Sequence, residues 1–323
     1  MTLPRRAALV ALGLAPWVGA LAQQPAFPTR GLRLVVPFAA GGVGDLTARI
    51  VAGKLAERLG QPVVIENRPG AGGVVAAETV ARAEPDGHTL FLMSNGTAVT
   101  AGLFKSLPFD TIRDFAPVST LGFFDIAVLA HPDAPFKTFP ELLAYARSHP
   151  GKLNIGSINI GSTQHLAAEL FKSSADIDAQ TVPFNGTPNL IGALRGRQVD
   201  VGVEILAPVL AQVRAGALRA LAVAGEKRSV VLPDVPTAAE SGVAGFVASS
   251  WNAIAAPAKT PRPVIDRLQR EIAASVADAE VQKKLRELNI DPRSSSPEQT
   301  AALLAGDIKR WSAVIERAGI PKQ

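Results

Sequence analysis

Two glycine-rich turns carry the chemistry this sequence makes available. The first is Phe38-Ala39-Ala40-Gly41-Gly42-Val43-Gly44-Asp45. It follows the apolar run Leu34 to Val36 and precedes Leu46, Ile50, Val51, Leu55 and Leu59 at helical spacing. A comparable unit returns about 120 residues later: Leu153 to Ser157, then Ile158-Asn159-Ile160-Gly161-Ser162-Thr163, then a helix bearing Leu166, Leu170 and Phe171. In a strand–turn–helix unit the first backbone N–H groups of the helix lack intrahelical partners. They point past the strand end, where they favour negative charge. Two such units facing one another would clamp a small anion.

The side chains around these turns each admit two readings. Asp45 stands in the first helical turn, where a carboxylate is stabilised as a cap and can also touch a ligand. Gly41, Gly42 and Gly44 shape a tight turn, and three of them also let a ligand approach the backbone closely. Ser162 is expected to cap its helix, leaving the neighbouring amides as anion donors. Ser94 and Asn95 follow the strand Thr89 to Met93 and read as a plain turn or as cleft contacts. Glu204 ends the apolar alternation Val199, Val201, Val203, an odd place for a charge unless it faces a cleft. It is expected to accept a hydrogen bond from a ligand amine, amide or hydroxyl. Phe184 reads as a pocket wall or as core, and Asn159 and Asn185 as contacts for the far end of a ligand. No Lys or Arg lies in either turn, so backbone dipoles must supply the positive field. His165 is expected to be structural. His88, His131 and His149 show no metal-ligand spacing, and neither a metal nor a cofactor is expected.

The chain has 323 residues, 47% hydrophobic and 19% charged, which bounds it to one large or two medium globular domains and excludes wholesale disorder. Residues 1–22 read as an export signal: Arg5-Arg6, an apolar run from Ala7 to Leu14, and Ala20-Leu21-Ala22 before the expected cleavage. The arginine pair also permits the twin-arginine route. Export places the mature chain in the periplasm. Cysteine is absent, which removes disulfides, thiol chemistry and lipid attachment at cysteine. The net charge of +5 falls to +3 without Arg5 and Arg6, and the remaining Lys and Arg are scattered rather than interleaved with aromatics. Nucleic acid is therefore not expected as a partner. Gly42-x-Gly44 with Glu66 imitates a dinucleotide fingerprint, but Thr47 holds the third glycine position. Ser94 lacks the flanking glycines of a nucleophile elbow.

Strands alternate with helices from Arg33 onward. Further strands are expected at Val63–Glu66, Ala127–Ala130, Thr181–Phe184, Val199–Glu204 and Leu218–Ala224. Helices are expected at Gly73–Ala83, from Thr138 to Ser148, at Pro188–Arg195 and after Ser296-Pro297. The alternation predicts an α/β protein with a parallel-rich sheet. The duplicated unit predicts two lobes, residues 27–123 with 255–323 and residues 124–254, joined by crossings near 120–130 and 245–257.

The chain resembles the solute receptors of tripartite tricarboxylate transporters, the Bug family of extracytoplasmic binding proteins. The resemblance rests on Val36-Pro37-Phe38-Ala39-Ala40-Gly41-Gly42 with Asp45, Glu66-Asn67-Arg68-Pro69-Gly70-Ala71-Gly72-Gly73, Pro85-Asp86-Gly87, Asp114-Phe115-Ala116-Pro117, Pro150-Gly151-Lys152-Leu153, Arg219-Ala220-Leu221-Ala222-Val223 and Leu232-Pro233-Asp234-Val235-Pro236-Thr237. It implies a type II periplasmic-binding-protein fold, two α/β lobes closing on a carboxylate-bearing solute, with no catalytic role. In the family the loops matching Ala39 to Asp45 and Ser157 to Thr163 pinch a carboxylate through backbone groups and ordered waters. Glu204 sits where the family usually shows Asp, and Pro183-Phe184-Asn185-Gly186 replaces its common Pro-Tyr-Lys-Gly. The partners implied are a small organic acid and membrane permease subunits, with the receptor a monomer. A ligand-sensing periplasmic adaptor is the alternative.

Overall fold

The computed structural model describes residues 27–158 and 160–323. The expected signal segment and Asn159 lie outside them. The first apolar run forms β1 (Leu32–Val36), which passes through the turn into α1 (Val43–Leu59) and β2 (Val63–Asn67). Ala48, Val51, Leu55 and Leu59 face the core, while Leu46 and Ile50 stand at the margin of the buried stripe. A 3-10 turn (Ala71–Gly73) and α2 (Val74–Ala81) lead to β3 (Thr89–Ser94), then directly to α3 (Asn95–Leu103). The sequence read Ser94 to Thr97 as a turn. The structure makes it the start of a helix, because Ser94 and Thr97 form a capping box, with Ser94 N–H donating to Thr97 Oγ1 at 3.1 Å.

Next come β4 (Phe115–Ala130), α4 (Phe139–Ser148), β5 (Leu153–Ile158), α5 (Thr163–Ala175), β6 (Ala179–Phe184) and α6 (Thr187–Arg195). They are followed by β7 (Val201–Ile205), α7 (Leu206–Arg214), β8 (Arg219–Val223) and β9 (Ser249–Pro257). The chain finishes with α8 (Arg262–Ala277), α9 (Ala279–Glu287), β10 (Ile290–Pro292) and α10 (Pro297–Arg317). The helix α7 has no Gly or Ser/Thr/Asp/Asn start signal, since Ile205 is its cap residue, and was not expected from sequence. The cap of α10 is the expected one, a box between Ser296 and Gln299 with proline at the start.

The sheet runs β2-β1-β3-β9-β4-β7-β5-β6, with β8 and β10 also paired to β4. Its two wings, β2-β1-β3 and β7-β5-β6, are parallel, as helical crossovers require. The expectation of a parallel-rich sheet fails at the middle, where every pairing of β4 and β9 is antiparallel. The 16-residue strand β4 changes partners along its length. Residues from Phe115 to Asp125 pair with β9, and those from Ile126 to Ala130 pair with β7. Pro117 is tolerated because the register shifts beside it, at Pro117/Ser119. At its far end β4 divides two apolar clusters by simple alternation: Ile126, Val128 and Ala130 enter one, Ala127 and Leu129 the other. Fully burying a side chain such as Val128 or Leu129 is worth roughly 1.5–3 kcal/mol, so this strand holds both wings to one frame. The fold is that of two α/β lobes sharing long central strands.

Candidate functional site

Both glycine turns are built on the same device. In the first, Gly41 adopts φ 83°, in the left-handed region where glycine is unstrained. Its N–H donates to Asp45 Oδ2 at 2.8 Å, four residues on. In the second, Gly161 adopts φ 80° and its N–H donates over a long 3.5 Å to His165 Nδ1, again four residues on. Asp45 and His165 each occupy the third position of a helix and fold the turn back on to it. Burial pushes the His165 imidazole down from its ordinary value, which keeps the neutral form that can accept. Burial raises the Asp45 carboxyl, but hydrogen bonds from Arg49, Gly41 and Asn67 outweigh it and hold the group below the usual carboxylate range. Arg49 Nε lies 3.0 Å from Asp45 Oδ2, and Asn67 Nδ2 donates to Asp45 Oδ1 at 2.8 Å and to the Phe38 carbonyl at 2.9 Å. Asp45 thus holds the turn rather than reaching out of it.

The two turns differ at the cap. Ser162 accepts from His165 N–H at 3.0 Å and donates to the Ile158 carbonyl at 2.6 Å. The cap of α1 is Gly42, with no side chain to satisfy the amides behind it. The first turn of α1 therefore keeps its N–H groups for something else. Ala40, Gly41 and Gly42 are exposed, and the Phe38 ring is half-buried against Gly44.

Between the turns stands the corner of β3 and α3. Asn95 is 1% exposed and spans the two wings. Its Oδ1 accepts from Thr163 Oγ1 at 2.9 Å, and its Nδ2 donates to Asp307 Oδ2 at 2.8 Å. Trp251 Nε1 also donates to Asp307 Oδ2, at 2.7 Å. On the other side, Ser94 pairs in register with Asn252, whose amide nitrogen approaches the first turn of α1 at Gly44. A continuous path, Gly44–Asn252–Ser94–Asn95–Thr163, joins one turn to the other. The turns therefore flank one corner and do not lie on opposite faces.

The corner of β7 and α7 holds Glu204, which is 0% exposed. Its Oε1 accepts from Gln164 Nε2 and from the Ile205 N–H, both at 2.7 Å, and its Oε2 accepts from Thr187 Oγ1 at 2.9 Å. Burial pushes its carboxyl above the usual range, against the pull of these donors. Three protein donors already take up its oxygens and no water-facing surface remains, so the expected contact between Glu204 and a ligand donor would have to be made alongside them. Phe184 packs on the second apolar cluster, beside Gly156. Asn185 is exposed and its carbonyl accepts from Asn189 Nδ2 at 2.9 Å.

Among the described residues, two buried polar atoms near these corners have no partner: Ser157 Oγ, on a residue 0% exposed, and Asn252 Nδ2, on a residue 3% exposed. Ser157 was expected from sequence. Asn252, Asn67, Asp307, Gln164 and Thr187 were not. Asp307 alone left a signal, an acid between Leu304 and Trp311 on an otherwise apolar helical stripe. A cavity of about 210 Å³ opens beside the second turn, lined by Gly161 and Ile160 on one side and by Gly72, Thr100, Leu103 and Phe104 on the other. The first turn does not wall it. Among the described residues no group of His, Asp and Glu is placed to hold a metal, and no helix is long and apolar enough to cross a membrane.

The model of the tripartite tricarboxylate transporter family receptor matches residues 47–320. The chain belongs to that family. It is 34% identical to protein BugT of Bordetella pertussis over 295 residues, 91% of this chain and 90% of the relative. Among solved structures it superposes with a TM-score of 0.83 on Rpa4515 of R. palustris with adipate, at 34% identity over 91% of this chain and 99% of the other. It superposes with a TM-score of 0.78 on MatC of Rhodopseudomonas palustris with bound malate, at 36% identity over 90% of this chain and 100% of the other. The Bug and TctC receptors are periplasmic solute-binding proteins, and the two-lobed α/β architecture of this chain is theirs.

Proposed function

We propose that this chain is an extracytoplasmic receptor that binds a small carboxylate between its lobes and hands it to the permease subunits of a tripartite tricarboxylate-type transporter. The observation that carries the reading is the uncapped N-terminus of α1 at the carboxyl end of β1, on a path of side chains that continues to the second turn. Such an end gathers unpaired N–H groups and the positive end of the helix dipole. Relatives with adipate and malate support a carboxylate as the class of ligand.

In this reading the lobes are residues 27–123 with 255–323 and residues 124–254, and the change of partners along β4 supports that division. The protein acts as a monomer in the periplasm after cleavage near Ala22, and it binds without catalysing. The sequence suggested a ligand with one acid end and a donor-bearing or neutral other end. That preference rested on an ionised Glu204 beside the ligand; burial works against that charge, so dicarboxylates stand among the candidates.

A thermal-shift screen of the mature chain against mono-, di- and tricarboxylates, amino acids and nicotinate tests the reading. A ligand at a hundredfold its Kd adds about 2.7 kcal/mol, which raises the melting midpoint of a chain this size by roughly 4 °C. No carboxylate producing a shift would refute it.

A further inference from the structure

We propose that Asn252 supplies a side-chain donor for the ligand carboxylate, acting with the free first-turn amides of α1 in place of a cation. The assignment rests on the receptor reading and adds a residue to its site. Strand β9 around it is apolar, with Ala253, Ile254, Ala255 and Ala256 all buried, so a lone amide there needs a partner. Its Oδ1/Nδ2 face turns away from the Trp251 side, where the indole is spent on Asp307. Its Nδ2 is buried and unpartnered. That nitrogen lies 3.4 Å from the point where a Cβ on Gly44 would stand, at the second residue of α1.

The same turn lacks a capping side chain, so the unpaired amide and the unpaired backbone donors are neighbours. The charged groups nearby are already matched, since Asp45 is held by Arg49 and Asn67. A ligand carboxylate seated here would meet donors without an opposing free acid, and the Phe38 ring beside Gly44 would form an apolar wall. A buried donor left unmade is costly, and one offered to a charge is stronger than its neutral counterpart.

Calorimetry on the mature chain, with malate, adipate and any hits from the carboxylate screen as probes, tests the assignment. Asn252→Leu keeps the shape and removes the donor, and it is expected to weaken binding roughly 10- to 100-fold. Asn252→Ala likewise removes the donor and leaves room for a water, and it is expected to weaken binding to a similar extent. A Leu variant binding within about twofold of wild type overturns the assignment and leaves the receptor reading standing. Should the Leu variant fail to fold, an Ala variant binding within about twofold of wild type overturns it instead. Wild-type protein that binds no carboxylate removes both.

Discussion

At Glu204 a carboxyl group is enclosed by Gln164, Ile205 and Thr187, each from a different element or corner, and none of it meets water. Burial raises its pKa in the folded state, so the folded protein binds a proton more tightly there than the unfolded chain does. Its contribution to stability is therefore present below the ordinary glutamate range and is lost as pH rises through the raised value. Glu204→Gln preserves the acceptor for Gln164 and Ile205 and can donate to Thr187. The variant is expected to fold, and the difference in unfolding free energy between it and wild type should move in its favour from pH 5 to pH 8. Urea denaturation at the two pH values measures this. A constant difference would mean that Glu204 is not the titrating group. Asp45 has the opposite sign, because its partners hold its carboxyl low, and the single-site comparison separates the two.

At the scale of elements, the contrast lies between α1 and α5. One ends in a serine that satisfies its own amides, the other in a glycine that satisfies none. Gly44 sits in the exposed-amide turn, and a Cβ placed on it would lie 2.5 Å from Phe38 Cδ2. Gly44→Ala must push the ring aside, although alanine suits a helix better than glycine by about 1 kcal/mol. The expected outcome is therefore a split: unfolding free energy changes by less than about 1 kcal/mol, while affinity for the carboxylate falls roughly tenfold. Calorimetry and urea denaturation on the same preparation read both. Equal affinity for the variant would place the ligand away from this turn.

Over the whole molecule, Thr163 and Asn95 connect wings that the central strands already join, and they do so between the two glycine turns. The bond anchors the start of α5 to a chain of Asn95, Asp307 and Trp251. A contact of this kind biases the balance between open and closed lobes without touching the ligand. Thr163→Val removes the hydroxyl at constant volume and is expected to enlarge the unliganded radius of gyration in small-angle scattering. It should also weaken binding roughly 3- to 10-fold, with the liganded radius unchanged. An unaltered radius would assign the bond to local structure alone.

The parts legible in the sequence are those that depend on near neighbours. The Ser162 and Ser296 caps, the glycine turns and the strand–helix alternation follow from hydrogen bonds and periodicities within a few residues, and they stand where the sequence put them. The corner at Ser94 was legible only as a turn, because its capping pair ends on Thr97, a weak cap partner. The first half of β4 carries Pro117, which argues against a strand until the bulge beside it is seen.

The sequence by itself determined that this chain is an α/β member of the tripartite tricarboxylate transporter receptor family with two glycine turns, each set between a strand and a helix. Tertiary structure alone decided what the polar side chains between them do. Asn95 meets Thr163 and Asp307 across separations of 68 and 212 residues, and Asn252 is left with a free donor beside Gly44. Local chemistry specifies which groups need partners, but only the path of the sheet specifies which groups arrive close enough to be those partners.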